Sequence, residues 1–106
     1  MAPPDTFRIR QTIRNGAYRL TLHAEQEREA DAITVQEIED AFGAENVELL
    51  EEYADDPRGH SVLYLGFTRD GQPIHAVLGL SEPDTVVFIT VYRPRPDLWY
   101  EWRKRL

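Results

Sequence analysis

The chain contains no cysteine, so it has no thiol nucleophile, disulfide or thiolate metal site, and any chemistry must come from histidine, carboxylates, hydroxyls and arginine. His75 is the most informative side chain. Alternation along the segment that holds it places Gly66, Thr90 and Tyr92 beside it on one face. An imidazole among hydroxyls can serve as a general acid or base near neutral pH. The same neighbours can equally form a cross-strand pair that satisfies itself on a half-exposed face. His23 is followed one and two helical turns later by Glu27 and Asp31. A carboxylate at that spacing orients an imidazole and stabilises its cation, or makes a surface ion pair of little weight. His23 with Glu27 is half of a metal site, but His60 falls in a separate loop after Pro57, Arg58 and Gly59. No metal and no other cofactor is expected.

Arg93 and Arg95 alternate with Pro94 and Pro96 directly after Tyr92. The prolines hold the guanidinium groups in an extended segment suited to phosphate or carboxylate, or to neutralising the acidic helices. With Tyr64, which alternation puts on the histidine's face, they are the candidate RNA- or phosphate-binding residues. Trp99 and Trp102 are read as packing anchors rather than base-stacking platforms. The chain carries no glycine-rich phosphate loop, serine elbow or paired-acid motif.

These groups must be positioned by one core. At 106 residues, 42% hydrophobic and 29% charged, the chain is a single-domain length and too apolar for a disordered protein. Residues 1–5 are expected to be disordered. No apolar run approaches the roughly 20 residues of a membrane span, and the first residues lack a signal peptide's apolar stretch, so a cytoplasmic protein is expected. The net charge of −7 is unevenly spread: residues 1–22 hold four arginines and one acid, residues 23–56 thirteen acids and one arginine, and residues 93–106 five bases and two acids. Nonspecific nucleic-acid affinity is opposed by such a field unless folding joins the two basic ends. The acidic middle is either a docking face for a basic partner or a solvated helical surface.

Thr6 is expected to cap a helix reaching Arg14, stopped by Asn15 and Gly16. A short extended piece at Tyr18–Leu20 leads to a helix over 22–32. Thr34 and Glu37 form a capping box for a helix ending at Gly43. Four strands follow, at 47–53, 61–68, 73–80 and 85–92, rich in β-branched and aromatic residues. Asp70-Gly71, read as a two-residue primed turn, pairs Gly66 with His75 and Leu65 with Ala76. A four-residue connection at 81–84 then pairs His75 with Thr90. In that register one face, carrying Leu63, Leu65, Phe67, Ile74, Ala76, Leu78, Val87, Ile89 and Val91, is the core. The other carries Tyr64, Gly66, His75, Val77, Phe88, Thr90 and Tyr92. Asp97 is expected to cap a final helix holding Leu98, Trp99, Trp102 and Leu106.

From Leu22 to Trp99 the chain resembles the bacterial and archaeal DUF4258 family. The resemblance rests on His23-Ala24 in a helix, Leu65-Gly66 in a strand, Gly71 to His75, and the run from Thr90 to Trp99 with its tyrosine, two prolines and tryptophan. It implies an α+β fold similar to the RelE and MqsR type of toxin endoribonuclease: N-terminal helices, a four-stranded, mainly antiparallel sheet and a C-terminal helix. It also implies a small zinc-finger antitoxin as partner, with RNA as substrate and a homodimer as further options. Family members carry arginine where Glu27 and Asp31 stand, and acids where Arg93 and Arg95 stand. Reversal of both signs implies a salt-bridged contact between that helix and the proline-flanked segment, bringing His23 toward His75 and Tyr92. The expected activity is metal-independent mRNA cleavage with His23, His75, Thr90 and Tyr92 as catalytic residues. The alternative is a noncatalytic protein-binding module or an inactive toxin relative, which the acidic net charge favours.

Overall fold

A computed structural model describes residues 5–57 and 59–106. The order is α1 (Thr6–Arg14), β1 (Tyr18–Leu20), α2 (Leu22–Ala30), α3 (Val35–Phe42), β2 (Glu48–Tyr53), β3 (Ser61–Phe67), β4 (Pro73–Gly79), β5 (Val86–Tyr92), β6 (Trp99–Tyr100) and β7 (Lys104–Arg105). The fold is α+β, with three helices on one face of a mainly antiparallel sheet. Five strands rather than four make up that sheet, in the order β1-β5-β4-β3-β2. The fifth is β1, whose three residues pair parallel to β5, Tyr18 opposite Val86 and Leu20 opposite Phe88.

Local chemistry sets the helix ends. The N-cap of α1 is Asp5 rather than Thr6: its carboxylate accepts the Arg8 N–H. Asp5 is therefore ordered, and the rest of the expected disordered stretch lies outside the described residues. Thr34 and Glu37 form the expected capping box at the start of α3. Helix α2 stops two residues early, at Ala30, because Ala32 adopts a left-handed conformation (φ 54°) and the Ile33 N–H reaches back to the Arg28 carbonyl. That 6→1 closure buries Ile33 beneath the helix end.

The hairpin between β3 and β4 differs from its expected register by one residue. Gly71 has φ +84°, but Asp70 does not share the positive φ that a primed two-residue turn requires. The Thr68 N–H instead bonds to the Gln72 carbonyl across a three-residue loop, and the Thr68 hydroxyl accepts the Gln72 N–H. The pairs become Leu65 with His75 and Gly66 with Ile74. Because strand side chains alternate, this slip exchanges the two faces of β3.

Val62, Tyr64, Ile74, Ala76, Leu78, Val86, Phe88 and Val91 therefore join Ile13, Ile38 and Phe42 in the core beneath the helices. Leu63 and Leu65 lie on the opposite face, while Tyr64 and Phe88 pass to the core side. A bulge on β5, between the Val77–Thr90 and Leu78–Phe88 pairs, puts Val91 and Phe88 on one face although they are three apart. Phe88 is wedged between Tyr18 and Phe42, with ring centroids at 5.6 and 5.7 Å. Gly66 faces α3, not His75: a Cβ there would lie 2.9 Å from the Ala41 carbonyl oxygen, so the missing side chain is what lets α3 close onto the sheet.

No C-terminal helix forms. Asp97 is engaged by the Arg95 guanidinium at 2.7 and 3.1 Å, and the Leu98 N–H returns to the Arg95 carbonyl as a turn. The chain then makes the small hairpin β6–β7, which folds back toward β2 and the side of the sheet opposite the helices.

Candidate functional site

His75 projects from β4 away from the helices, as the alternation requires, but it is completely buried. Its cross-strand neighbours are Leu65 and Tyr92 rather than Gly66 and Thr90; Thr90 stands opposite Val77. The ring nitrogens are both occupied. Nε2 lies 2.6 Å from the Trp102 carbonyl oxygen, and Nδ1 lies 3.1 Å from the Tyr92 hydroxyl. A carbonyl can only accept, so the proton sits on Nε2, and Nδ1 accepts the Tyr92 O–H. Trp99 meets the imidazole edge-on at 4.4 Å between centroids, and Tyr92 at 5.3 Å. Burial lowers the His75 pKa, Arg105 lowers it further, and the Trp102 carbonyl and Glu51 oppose the shift. The result is a neutral imidazole at neutral pH with no lone pair to spare. Burial likewise pushes the Tyr92 hydroxyl up to about 12.

The cover over His75 is the C-terminal hairpin. Residues Tyr100 to Arg103 form a two-residue turn closed by the Arg103 N–H on the Tyr100 carbonyl, with Glu101 (φ 50°) and Trp102 (φ 66°) both left-handed. Neither is glycine, and such a conformation costs roughly 1–2 kcal/mol per residue. The turn is held by what surrounds it. Arg103 grips Glu48 at 2.8 and 2.7 Å, and Arg105 grips Glu51 at 3.1 and 3.2 Å while lying over the Trp99 ring. These hydrogen bonds hold the Glu48 and Glu51 carboxyls below the usual carboxylate range. Tyr53 completes the cluster by donating to Glu51. Glu51, Tyr53, Arg105 and the Trp102 carbonyl were not singled out in the sequence. Alternation could not have found them, because Glu48 and Glu51 are three apart and share a side of β2 only through the bulge between Leu49 and Glu51.

His23 is placed differently. It stands in the first turn of α2 with its side chain 64% exposed and Nε2 at 3.3 Å from the Glu27 carboxylate. Glu27 is itself fixed, because the same oxygen accepts the Val91 N–H at 3.1 Å. Below His23 the sheet face left uncovered by the hairpin forms an open groove of about 520 Å³. Its floor is Gly79, Val87 and Ile89, and its rim is Arg19, Thr21, Ser81 and Glu82. Thr21 fixes the corner: its hydroxyl accepts the Ala24 N–H as the α2 N-cap and donates to the Ile89 carbonyl. Arg19 is paired with Glu82 at 3.1 Å, with both side chains near half exposed. This arrangement offers an oriented, solvent-accessible imidazole beside an apolar floor, with a guanidinium and hydroxyls within the same groove.

The proline-flanked segment meets the end of α2, but through backbone groups and not by the expected salt bridges of Glu27 and Asp31 with Arg93 and Arg95: the Arg93 guanidinium has Glu37 as its carboxylate, at 3.9 Å. Asp31 accepts the Arg93 backbone N–H at 2.8 Å, and the Arg93 guanidinium donates to the Asp31 and Ala32 carbonyls. Glu27 and Asp31 thereby extend the hydrogen bonding of β5 past the end of β1. The contact does not unite the histidines: His23 opens on the groove, whereas His75 is enclosed by Tyr92, Trp99 and Trp102. Arg95 is turned to Asp97. Tyr64 is buried under the helices with its hydroxyl 3.1 Å from Thr6, so it is a core residue and not an RNA contact. Trp99 is a packing anchor, 5% exposed.

Among the described residues no group of three or more His, Cys, Asp or Glu could hold a metal ion, and no helix is long and apolar enough to cross a membrane. A family model described as a domain of unknown function (DUF4258) matches residues 20–93. No curated protein and no solved structure matches the chain.

Proposed function

The chain belongs to the DUF4258 family, and from that premise we propose that it is a metal-independent endoribonuclease of the toxin type, working at the groove beside His23. The observation that carries this reading is the His23–Glu27 pair: an accessible imidazole, held by a carboxylate that a strand amide fixes in turn. The helices on one face of the sheet and the open groove on the other are the features on which we relate the fold to the RelE and MqsR type. His23 accepts the proton of a ribose 2′-hydroxyl as its oxygen attacks the adjacent phosphorus. The 5′-oxygen leaves with a proton returned by the imidazolium, giving a 2′,3′-cyclic phosphate and a 5′-hydroxyl. Arg19, released from Glu82, balances the charge on the phosphorane oxygens. An exposed ion pair is worth about 0–1 kcal/mol, so phosphate can displace the carboxylate. His75 and Tyr92 support the sheet. The cytoplasm and a zinc-finger antitoxin are the setting and partner of this reading.

One observation favours a second reading, a noncatalytic protein-binding module. Arg8, Arg10, Arg19, Arg28, Arg69, Arg93, Arg95, Arg103 and Arg105 all have carboxylate partners, which leaves little cationic surface for RNA. Product chemistry separates the two. Incubation with a defined mRNA in chelator yields fragments ending in 2′,3′-cyclic phosphate under the first reading. Intact RNA across a concentration series sinks it and leaves the second.

A further inference from the structure

We propose that Glu82 makes the groove beside His23 selective for guanosine, so that a strand is cut on the 3′ side of a guanosine. The inference rests on the ribonuclease reading of that groove and adds the base it takes. It starts from the row of residues beneath the histidine. Arg19 on β1 stands opposite Val87 on β5, and Val87 stands opposite Gly79 on β4, so the three cross the sheet side by side. Neighbouring strands are about 4.8 Å apart, which sets the Arg19 backbone roughly 10 Å from that of Gly79. Glu82, in the connection that follows β4, reaches back over this row to Arg19.

The floor of the groove suits a flat ring. Val87 and Ile89 are aliphatic, and a Cβ on Gly79 would stand only 3.2 Å from the Ile89 Cδ1. The missing side chain keeps the floor low beside Ile89, where the face of a base can lie against apolar groups. The volume of about 520 Å³ is within the roughly 300–1,000 Å³ of small-molecule sites.

The identity of the base follows from the Arg19–Glu82 pair. A single guanidinium nitrogen, Nη2, donates to both Glu82 oxygens, at 3.3 and 3.1 Å. A phosphate that draws Arg19 to itself takes this nitrogen away and leaves two acceptor oxygens at the rim of the groove. The neutral group that replaces a guanidinium there is one with the same N–C–N arrangement of donors. Guanine has it: N1–H and the N2 amino group point from one edge in parallel. Adenine and cytosine present one amino group beside an acceptor nitrogen, and uracil presents one N–H between two carbonyls, so each brings lone pairs against the carboxylate. Arg19 then holds the phosphate of a nucleotide and Glu82 its base, which leaves the 2′-hydroxyl of the same nucleotide for His23 above the floor.

Binding of 3′-GMP, 3′-AMP, 3′-CMP and 3′-UMP to the whole protein is measured by isothermal titration in chelator, with inorganic phosphate as the control that lacks a base. The parent protein is expected to bind 3′-GMP at least about 5-fold more tightly than the other three, the least that one bidentate pair discriminates. Glu82→Ala binds the four nucleotides alike, and takes inorganic phosphate at least as well as the parent because Arg19 is free. Arg19→Ala weakens all four and keeps guanine first. Glu82 lies in an exposed connection, so its replacement leaves the fold intact. Equal affinities in the parent protein, or a guanine preference that survives in Glu82→Ala, overturns the role of Glu82 while mRNA cleavage through His23 stands. Failure of phosphate and all four nucleotides to bind overturns both.

Discussion

His75 and Trp102, 27 residues apart, are joined by a 2.6 Å hydrogen bond from the imidazole Nε2–H to a backbone carbonyl. That bond ties the last turn of the chain to the middle of the sheet. It also fixes the tautomer, and with it the role of Tyr92 as donor to Nδ1.

Replacing His75 by alanine strands the Trp102 carbonyl and the Tyr92 hydroxyl and leaves a cavity under Trp99. A loss of about 2–4 kcal/mol is expected in denaturant melts. His75→Gln recovers a good part of it. The loss also depends on pH. The folded-state pKa lies below the unfolded one, so the unfolded chain binds more protons between them and stability falls as pH drops below about 6.5. The parent protein shows this slope and His75→Ala lacks it.

Hydrogen bonds from Arg103 and Arg105 hold the Glu48 and Glu51 carboxyls below the range of ordinary surface acids. Their contribution is present above the usual carboxylate range and fades as pH falls through the depressed values. Arg103→Ala combined with Arg105→Ala is expected to shift tryptophan emission at pH 7, and added salt should move the parent protein part of the way. Insensitivity of emission to both changes would remove these pairs from the account of the hairpin.

Asp31 satisfies the Arg93 N–H where β1 no longer reaches, and Glu27 does the same for Val91. Asp31→Ala leaves a strand amide without its partner and is expected to cost about 1–3 kcal/mol, with faster hydrogen exchange confined to residues 91–93. Asp31→Asn, which keeps an acceptor, retains much of the lost stability. Equal damage from both would mean that charge, not the hydrogen bond, is what matters there.

Gly71 separates the two readings of the β3–β4 turn. With its φ of +84° and open space around it, Gly71→Ala should cost about 1 kcal/mol from backbone strain alone. Asp70→Gly tests the alternative. A turn requiring positive φ at both positions would be stabilised by it, whereas the three-residue loop loses the Thr68–Asp70 hydrogen bond and weakens.

Helices and strands were legible because their signals are local. The capping box at Thr34, the β-branched runs and the Asn15-Gly16 stop each act within a few residues. What failed depended on a single residue of register or on contacts from afar. One loop residue at 69–71 turned Tyr64 and Gly66 inward and put Leu65 beside His75. The β4–β5 hairpin closes one residue away from its expected register, with Gly79 opposite Val87, and the β5 bulge adds a second, so that Tyr92 takes the place expected of Thr90. The C-terminal segment has helical spacing at Leu98, Trp99 and Trp102, but Asp97 is taken by Arg95, and the Trp99 ring and the Trp102 carbonyl are drawn onto His75, neither of which spacing can reveal. At the candidate site, the His23–Glu27 pair was readable as an i,i+4 contact. The groove beneath it was not, because it is simply the part of the sheet that no other element covers.

The claim that His23, and not His75, does the chemistry is tested most directly by comparing mRNA cleavage in chelator by the parent protein, His23→Ala and His75→Gln. The account predicts at least a 100-fold loss for His23→Ala, in keeping with removal of a general base, with an unchanged melting temperature, and retained cleavage for His75→Gln. Parent-level cleavage by His23→Ala contradicts it.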